Sequence, residues 1–353
     1  MSVDSCHSAR GRASRPAIRD RQPLLLALLL SLIFSLLSGC IVAGSDPGRK
    51  LAEEVTAPAV APPSAVAAPR PVTDSTSALE TEPKKDSISP ILTLRFLDVG
   101  QGDAVLIRAP TGQNMLYDGG DRGSDLVRRL REMGVTELTL VIASHNHADH
   151  IGGLAEVIRS FRPTYVMENG LPHTTRTYER FLEAIEAAGS QLLEAERRSI
   201  RLGDAELNVI PPSGRSSWGQ NENSVGVLVQ FGSFRATLMG DAEHRQFGWW
   251  LQSHRDIFQP VHVHKASHHG SRNGDTPAAL RALRPELVVI GLARDNTYGH
   301  PHAEALSRYQ RVGAAICRTD AHGDITIEAS LNGSYRVITE KSAASRESGL
   351  GCI

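Results

Sequence analysis

Ser144-His145-Asn146-His147-Ala148-Asp149-His150-Ile151-Gly152-Gly153 is the stretch whose reading decides the fold. Three imidazoles and a carboxylate packed into the order H-x-H-x-D-H fit no amphipathic helix face, and they make chemical sense as a metal-binding loop. The preceding residues, 138–144, are a short apolar, β-branched run of the kind that forms a buried strand. After the histidines, Gly152-Gly153 permits a tight turn and residues 154–159 carry helical spacing. The motif is therefore expected in a loop at a strand end, where a rigid scaffold presents reactive groups. On extended backbone His145 and His147 point the same way and can grip one cation, while Asp149 and His150 turn toward another. Two divalent ions about 3.5 to 4 Å apart can share a hydroxide and clamp the attacking and leaving oxygens of a displacement.

Further ligands are expected from other strand ends. Residues 234–239 read as a strand ending in Gly240-Asp241, which sets a carboxylate where it could bridge two cations. Residues 261–266 read as another, running into Ser267-His268-His269-Gly270-Ser271. Together with Phe96-Leu97-Asp98-Val99-Gly100-Gln101-Gly102-Asp103-Ala104, Tyr117-Asp118-Gly119-Gly120 and Asn296-Thr297-Tyr298-Gly299-His300-Pro301, these motifs resemble the metallo-β-lactamase fold. Within it they are similar to the extracytoplasmic metal-dependent domain of the ComEC family of DNA-internalisation competence proteins, over residues 91–340.

That resemblance implies an α/β fold, a four-layer αββα sandwich. It implies two divalent ions, Zn or Mn: His145, His147 and Asp241 at the first, with Asp149, His150, Asp241 and one of the 268/269 pair at the second. His269 is the expected ligand of that pair. Asp149, His268 and His300 are the residues expected at the reacting groups, and Asp118 is expected to orient a ligand histidine. The family's further histidine ahead of the Gly-Asp strand is replaced here by Asn221-Glu222-Asn223-Ser224, so Asn223 or water is left to complete the first position. The implied activity is a phosphodiesterase or nuclease using a metal-bound hydroxide, acting on a phosphoester substrate that includes DNA as a candidate. Hydrolysis of a lactone, thioester or β-lactam, and a non-catalytic binding role, are the competing readings.

Other residues read as structural. Turn chemistry accounts for Gly100 and Gly102, and a structural role is expected for Asp98, Gln101 and Asp103. His262 and His264 alternate with valine on one strand and are expected to be packed rather than ligating. Trp218, Trp249 and Trp250 serve either aromatic packing or base stacking. The four cysteines contain no C-x-x-C, which argues against thiol catalysis. Cys317 reads as a buried small hydrophobe, and a Cys317–Cys352 disulfide is the less favoured reading. Lys plus Arg number 38 against 39 Asp plus Glu, so bulk charge does not argue for nonspecific nucleic-acid binding; Arg272 and Arg294 are the candidates to receive a phosphate.

At the N-terminus, arginines precede an apolar block over residues 24–37, the design of a signal peptide and short for a membrane span. The block ends Leu37-Ser38-Gly39-Cys40, which resembles a lipoprotein processing site and implies a lipidated Cys40. The expected organisation is a signal peptide over 1–39, an Ala/Pro-rich linker over 40–89, a hydrolase domain over 90–340 and a flexible tail over 341–353. The domain is thereby expected outside the cytoplasm, anchored to the membrane of a bacterial cell envelope, with no protein partner inferable.

Overall fold

The computed structural model describes residues 89–341, 346–347 and 352; the expected signal peptide, linker and lipidated Cys40 lie outside the described residues. Period-two patterning builds the first sheet. Ile91–Phe96 sends Leu92, Leu94 and Phe96 to one face, with Leu94 opposite Ile107 and Ile327 on its two antiparallel neighbours, Val105–Arg108 and Ile325–Ser330. Beyond them the order continues through Asn114–Tyr117, Leu140–Ile142, Tyr165–Glu168 and Gln191–Glu194 on one side, and Tyr335–Thr339 and Arg346–Glu347 on the other. Leu140–Ile142 pairs parallel with both neighbours and is covered on both faces, so it is apolar at every position rather than alternating.

The second sheet runs Ala315–Arg318, Leu287–Ile290, Val263–Lys265, Phe234–Leu238, Gly226–Phe231, Ala205–Ile210, Arg198–Leu202. Its first four strands are parallel. The inner faces meet in one core that includes Leu94, Ile107, Tyr117, Val229, Phe231, Phe234, Val263 and Val289. Each such fully buried side chain contributes about 1.5–3 kcal/mol. Helices Leu126–Glu132, Leu154–Phe161 and Arg176–Ala188 cover the outer face of the first sheet, with Leu130, Ile158 and Phe181 packed on Leu116, Val141 and Val166. Helices His244–Ser253, Pro277–Leu283 and Ala303–Arg311 cover the second. This is the expected αββα sandwich.

Three local expectations change. Residues 148–151 form a short helix of their own, Ala148–Ile151, with His147 at its N-cap, rather than irregular loop. Gly152 and Gly153 form the expected turn between Ala148–Ile151 and Leu154–Phe161, but with right-handed helical backbone that any residue adopts, so what they contribute is smallness: a Cβ on them would stand 2.5 Å from the Arg122 nitrogen and 2.4 Å from the Gly119 oxygen. Their smallness lets the 118–122 loop lie directly on the metal-binding segment. Finally, Cys317, fully buried as expected, is bonded to Cys352, and Arg346–Glu347 pairs with Tyr335–Thr339. The chain end read as a loose tail is thus joined to the sandwich at those points. Cys352 sits among the residues of the inter-sheet core, where no periodic signal in the sequence places it.

Candidate metal centre

Three strand ends converge. Leu140–Ile142 leads through Ser144 to His145, Phe234–Leu238 leads to Gly240-Asp241, and Val263–Lys265 leads to Ser267–Gly270. The first two are locked by contact: Gly240 has a left-handed φ of 54°, and a Cβ there would lie 2.7 Å from the Ser144 Cβ. Ser224 receives the Asp241 backbone N–H on its hydroxyl at 3.1 Å, and Val225 donates its N–H to the Ser144 carbonyl at 2.8 Å. The third is held by Asp275, which accepts the Ser267 N–H at 3.0 Å and the Tyr309 hydroxyl at 2.8 Å, and pairs with His264 at 2.9 Å. Non-glycine residues in left-handed conformation gather here, at Asp118, His268 and His269. Each such residue costs of order 1–3 kcal/mol and is held by its surroundings.

Asp241 is the centre of the arrangement. Its Oδ2 lies 3.3 Å from His150 Nε2, 3.5 Å from His269 Nε2, 3.8 Å from His268 Nε2 and 3.9 Å from His145 Nε2. Asp149 Oδ2 lies 3.3 Å from His269 Nε2 and 3.8 Å from His150 Nε2. His145 Nε2 and His147 Nδ1 are 3.0 Å apart. Donors around a tetrahedral ion at about 2.0–2.1 Å stand roughly 3.4 Å from one another, so these separations suit ligands sharing cations. The far nitrogens are already engaged: His150 Nδ1 pairs with Asp118 at 2.9 Å and His269 Nδ1 with the Gly291 carbonyl at 2.9 Å. That leaves their buried Nε2 atoms without a hydrogen-bond partner, as is Asp241 Oδ1. Buried polar atoms aimed at one point without hydrogen-bond partners fit a cation-binding site.

The electrostatics agree. Burial favours loss of the proton from His150, yet the carboxylates of Asp241, Asp149 and Asp118 overturn it and hold its pKa well above the usual histidine range. At His269 burial is likewise overcome, chiefly by Asp241 and Asp103, and the pKa is pushed up to about 10. Asp241, against its burial, is held far below the carboxylate range by His150, His269 and His268. His145 goes the other way, its pKa driven well down by burial and by His150, which keeps it neutral as a ligand must be. The acids draw positive charge toward the centre, a demand that a divalent cation would meet. The residues therefore fit a divalent-metal site.

The expected residues are thus brought together: His145, His147, Asp149, His150, Asp241 and His269 surround the centre, and His268 and His300 stand at its rim. His268 Nδ1 is 2.8 Å from Glu243 Oε1. His300 is half-buried between His269 and His268, ring centroids 6.2 and 5.5 Å away, and Tyr298 stacks on its outer side at 5.6 Å. Asp118 takes the orienting role, accepting also the Ser144 N–H at 2.6 Å and hydroxyl at 2.8 Å. Asn223 is not available to a cation: its amide donates to the Arg215 and Gly219 carbonyls, and its oxygen accepts from Ser213. The two candidate arginines are engaged as well, Arg294 with the Asp320 carbonyl and Arg272 beside Glu304. His262 stacks on Phe234, and His264 is enclosed by Thr237 and Asp275, so neither ligates. Trp250 is packed, its Nε1 donating to the Pro211 carbonyl.

Sequence reasoning missed Asp103, which is buried with its carboxylate 3.7 Å from His269 Nδ1 and 3.8 Å from His150 Nδ1. Those Nδ1 edges are taken, so Asp103 lies behind the two histidines relative to their Nε2 atoms, although its oxygens come close enough to group with His150, Asp241 and His269 as groups able to hold a cation. It also missed Lys265, buried and hydrogen-bonded to Asp103. Period two on Val263–Lys265 could have found Lys265, because it shares its face with the core residue Val263.

A family model described as the metallo-beta-lactamase superfamily matches residues 97–292. Among curated proteins, the chain is 25% identical over 253 residues to ComE operon protein 3 of Bacillus subtilis, covering 65% of this chain and 32% of that protein. It is 25% identical over 250 residues to Recombination protein 2 of Haemophilus influenzae, covering 69% and 29%. The match thus spans about a third of the length of these relatives. Among solved structures, the metallo-beta-lactamase fold protein YhfI of Bacillus subtilis superposes with a TM-score of 0.45 at 13% identity, over 68% of this chain and 100% of that one.

Proposed function

The chain belongs to the metallo-beta-lactamase superfamily, and we propose that it is a metal-dependent phosphodiesterase, with DNA among its candidate substrates. The observation that carries the reading is the convergence of His145, His150, His268 and His269 on the single oxygen Asp241 Oδ2, with Asp149 alongside. Two divalent ions, Zn or Mn, held by His145, His147 and Asp241 on one side and by Asp149, His150, His269 and Asp241 on the other, would supply an activated water and offset charge developing on phosphorus.

The chain's own groups do the rest. Asp118 and the Gly291 carbonyl hold the Nδ1 protons of His150 and His269, which turns both Nε2 lone pairs toward the centre. Glu243 lies 2.8 Å from His268 Nδ1 at the rim, and His268 Nε2 can contact a phosphoryl oxygen. His300, its pKa lowered to about 4 by burial and by His269 and His268, is a neutral hydrogen-bonding group at physiological pH. The Cys317–Cys352 disulfide supports an oxidising, extracytoplasmic setting. Among the described residues no helix is long and apolar enough to cross a membrane, so an anchor would come from residues outside them.

The test is hydrolysis of bis-p-nitrophenyl phosphate and single-stranded DNA by the metal-loaded protein in Mn²⁺ or Zn²⁺, with nitrocefin and a lactone as carbon-centred comparisons. Turnover of the phosphodiesters alone is the expected result. Hydrolysis confined to the carbon esters, or none with metal demonstrably bound, would overturn the phosphodiesterase reading.

A further inference from the structure

The Gly100-Gln101-Gly102-Asp103 turn and the strand Val263–Lys265 are far apart in sequence and meet beneath the metal centre. Asp103 and Lys265 form a hydrogen-bonded ion pair that is almost wholly buried, with Lys265 Nζ also 3.4 Å from the Gly240 carbonyl. Asp103 faces the Nδ1 edges of His150 and His269. A Cβ on Gly291 would lie 2.5 Å from Asp103 Oδ1, so the carboxylate is closely walled in on that side. A buried pair of this kind is weak evidence for stability, because an apolar pair of the same volume can serve a fold as well. Its position asks for another explanation.

Charge accounting supplies one. The centre contains three buried carboxylates, Asp103, Asp118 and Asp241, a partly exposed one, Asp149, and one buried ammonium, Lys265. With the histidines neutral, as ligation requires, the carboxylates outnumber the ammonium and the centre attracts cations. Lys265 offsets one of those negative charges from inside the protein, so an entering cation meets less attraction than the carboxylates alone would exert.

We propose that the Asp103–Lys265 pair is the charge regulator of the metal centre: Asp103 strengthens cation binding from behind the ligand histidines, and Lys265 is a permanent internal cation that limits that attraction. The two residues act through the ligands and are positioning residues in this sense. This inference rests on the divalent-metal reading of the centre and adds to it two residues outside the ligand set.

The experiment is a double-mutant cycle on metal affinity, with no turnover in the readout. Wild type, Asp103→Asn, Lys265→Met and the double variant are stripped of metal, checked for folding by circular dichroism, and titrated with Zn²⁺ alone against a chromophoric chelator. Asp103→Asn should bind Zn²⁺ about 10–100-fold more weakly, the size of effect that groups behind metal ligands have. Lys265→Met should bind at least as tightly as wild type. The double variant, whose net charge equals that of wild type, should return to within about threefold of it, and that comparison stands even where Lys265→Met alone fails to fold. Asp103→Asn matching wild type, or a double variant as weak as Asp103→Asn, overturns the inference while the metal centre stands. Wild-type protein that takes up no Zn²⁺ overturns the reading of the centre itself, and this inference with it.

Discussion

Replacing Asp118 by asparagine separates positioning from stability. Asparagine is nearly isosteric and tolerates the left-handed backbone found at 118, so the substitution leaves the loop geometry alone. The carboxylate accepts three hydrogen bonds, from the Ser144 N–H, the Ser144 hydroxyl and His150. An amide whose oxygen keeps the Ser144 N–H puts its NH₂ at the other position, where it can donate to the Ser144 hydroxyl oxygen but faces His150 Nδ1. Losing one hydrogen bond to a charged acceptor costs about 1.5–3 kcal/mol. Against that, burial raises the pKa of Asp118 despite the opposing pull of His150, so the native carboxylate is held charged at a cost that the neutral amide escapes. The two terms oppose each other, and the metal-free protein should lose no more than about 2 kcal/mol in urea denaturation. Metal binding should suffer far more. A donor facing His150 Nδ1 drives the imidazole proton to Nε2, the atom 3.3 Å from Asp241, and removes a ligand lone pair from the centre. The expected loss is about 10–100-fold in Zn²⁺ affinity by chelator competition. An affinity within twofold of wild type would refute the reasoning, because Asp118 would then have no part in setting the tautomer.

Three other outcomes are expected. His269→Ala should lower the bound metal measured by elemental analysis, whereas His268→Ala should retain it and lose phosphodiester turnover; the reverse pattern would exchange their roles. For Asp275, burial raises the pKa but His264, the Ser267 N–H and the Tyr309 hydroxyl outweigh it and hold the group below its ordinary value. A depressed carboxylate stabilises the fold above its unfolded pKa of about 3.9, and that contribution disappears as pH falls through the folded value. The stability gap between wild type and Asp275→Asn in urea should therefore be widest near pH 6 and shrink below about pH 4. A gap unchanged from pH 6 to 3 would contradict the assignment. Cys352→Ser should cost about 3–4 kcal/mol, from the 35-residue separation that the disulfide closes; an unchanged melting temperature under oxidising conditions would rule that out.

Much of the centre was legible because its candidate ligands are local. His145, His147, Asp149 and His150 lie within six residues, so their spacing alone points to a metal-binding loop able to serve two cations. Asp241 was legible for a related reason, since an apolar run ending in Gly-Asp marks where a strand leaves the sheet. Sheet strands and helices followed from periods of two and 3.6. The sandwich layering came from the resemblance, because periodicity says which face is buried and not what covers it.

What the sequence by itself determined was therefore the set of groups near each strand end, a matter of short-range covalent spacing. The tertiary structure alone decided which of them face one another. His269 is turned inward and His268 toward the rim by successive left-handed residues that no propensity foretells. Asp103 and Lys265, both readable as ordinary turn and strand residues, become a buried ion pair only when the sandwich closes over them. Asn223 is claimed by its own loop, and Cys317 meets Cys352 across the core. Such pairings join residues that chain connectivity leaves independent; burial makes them decisive, because a polar group removed from water has to find its partner in the fold.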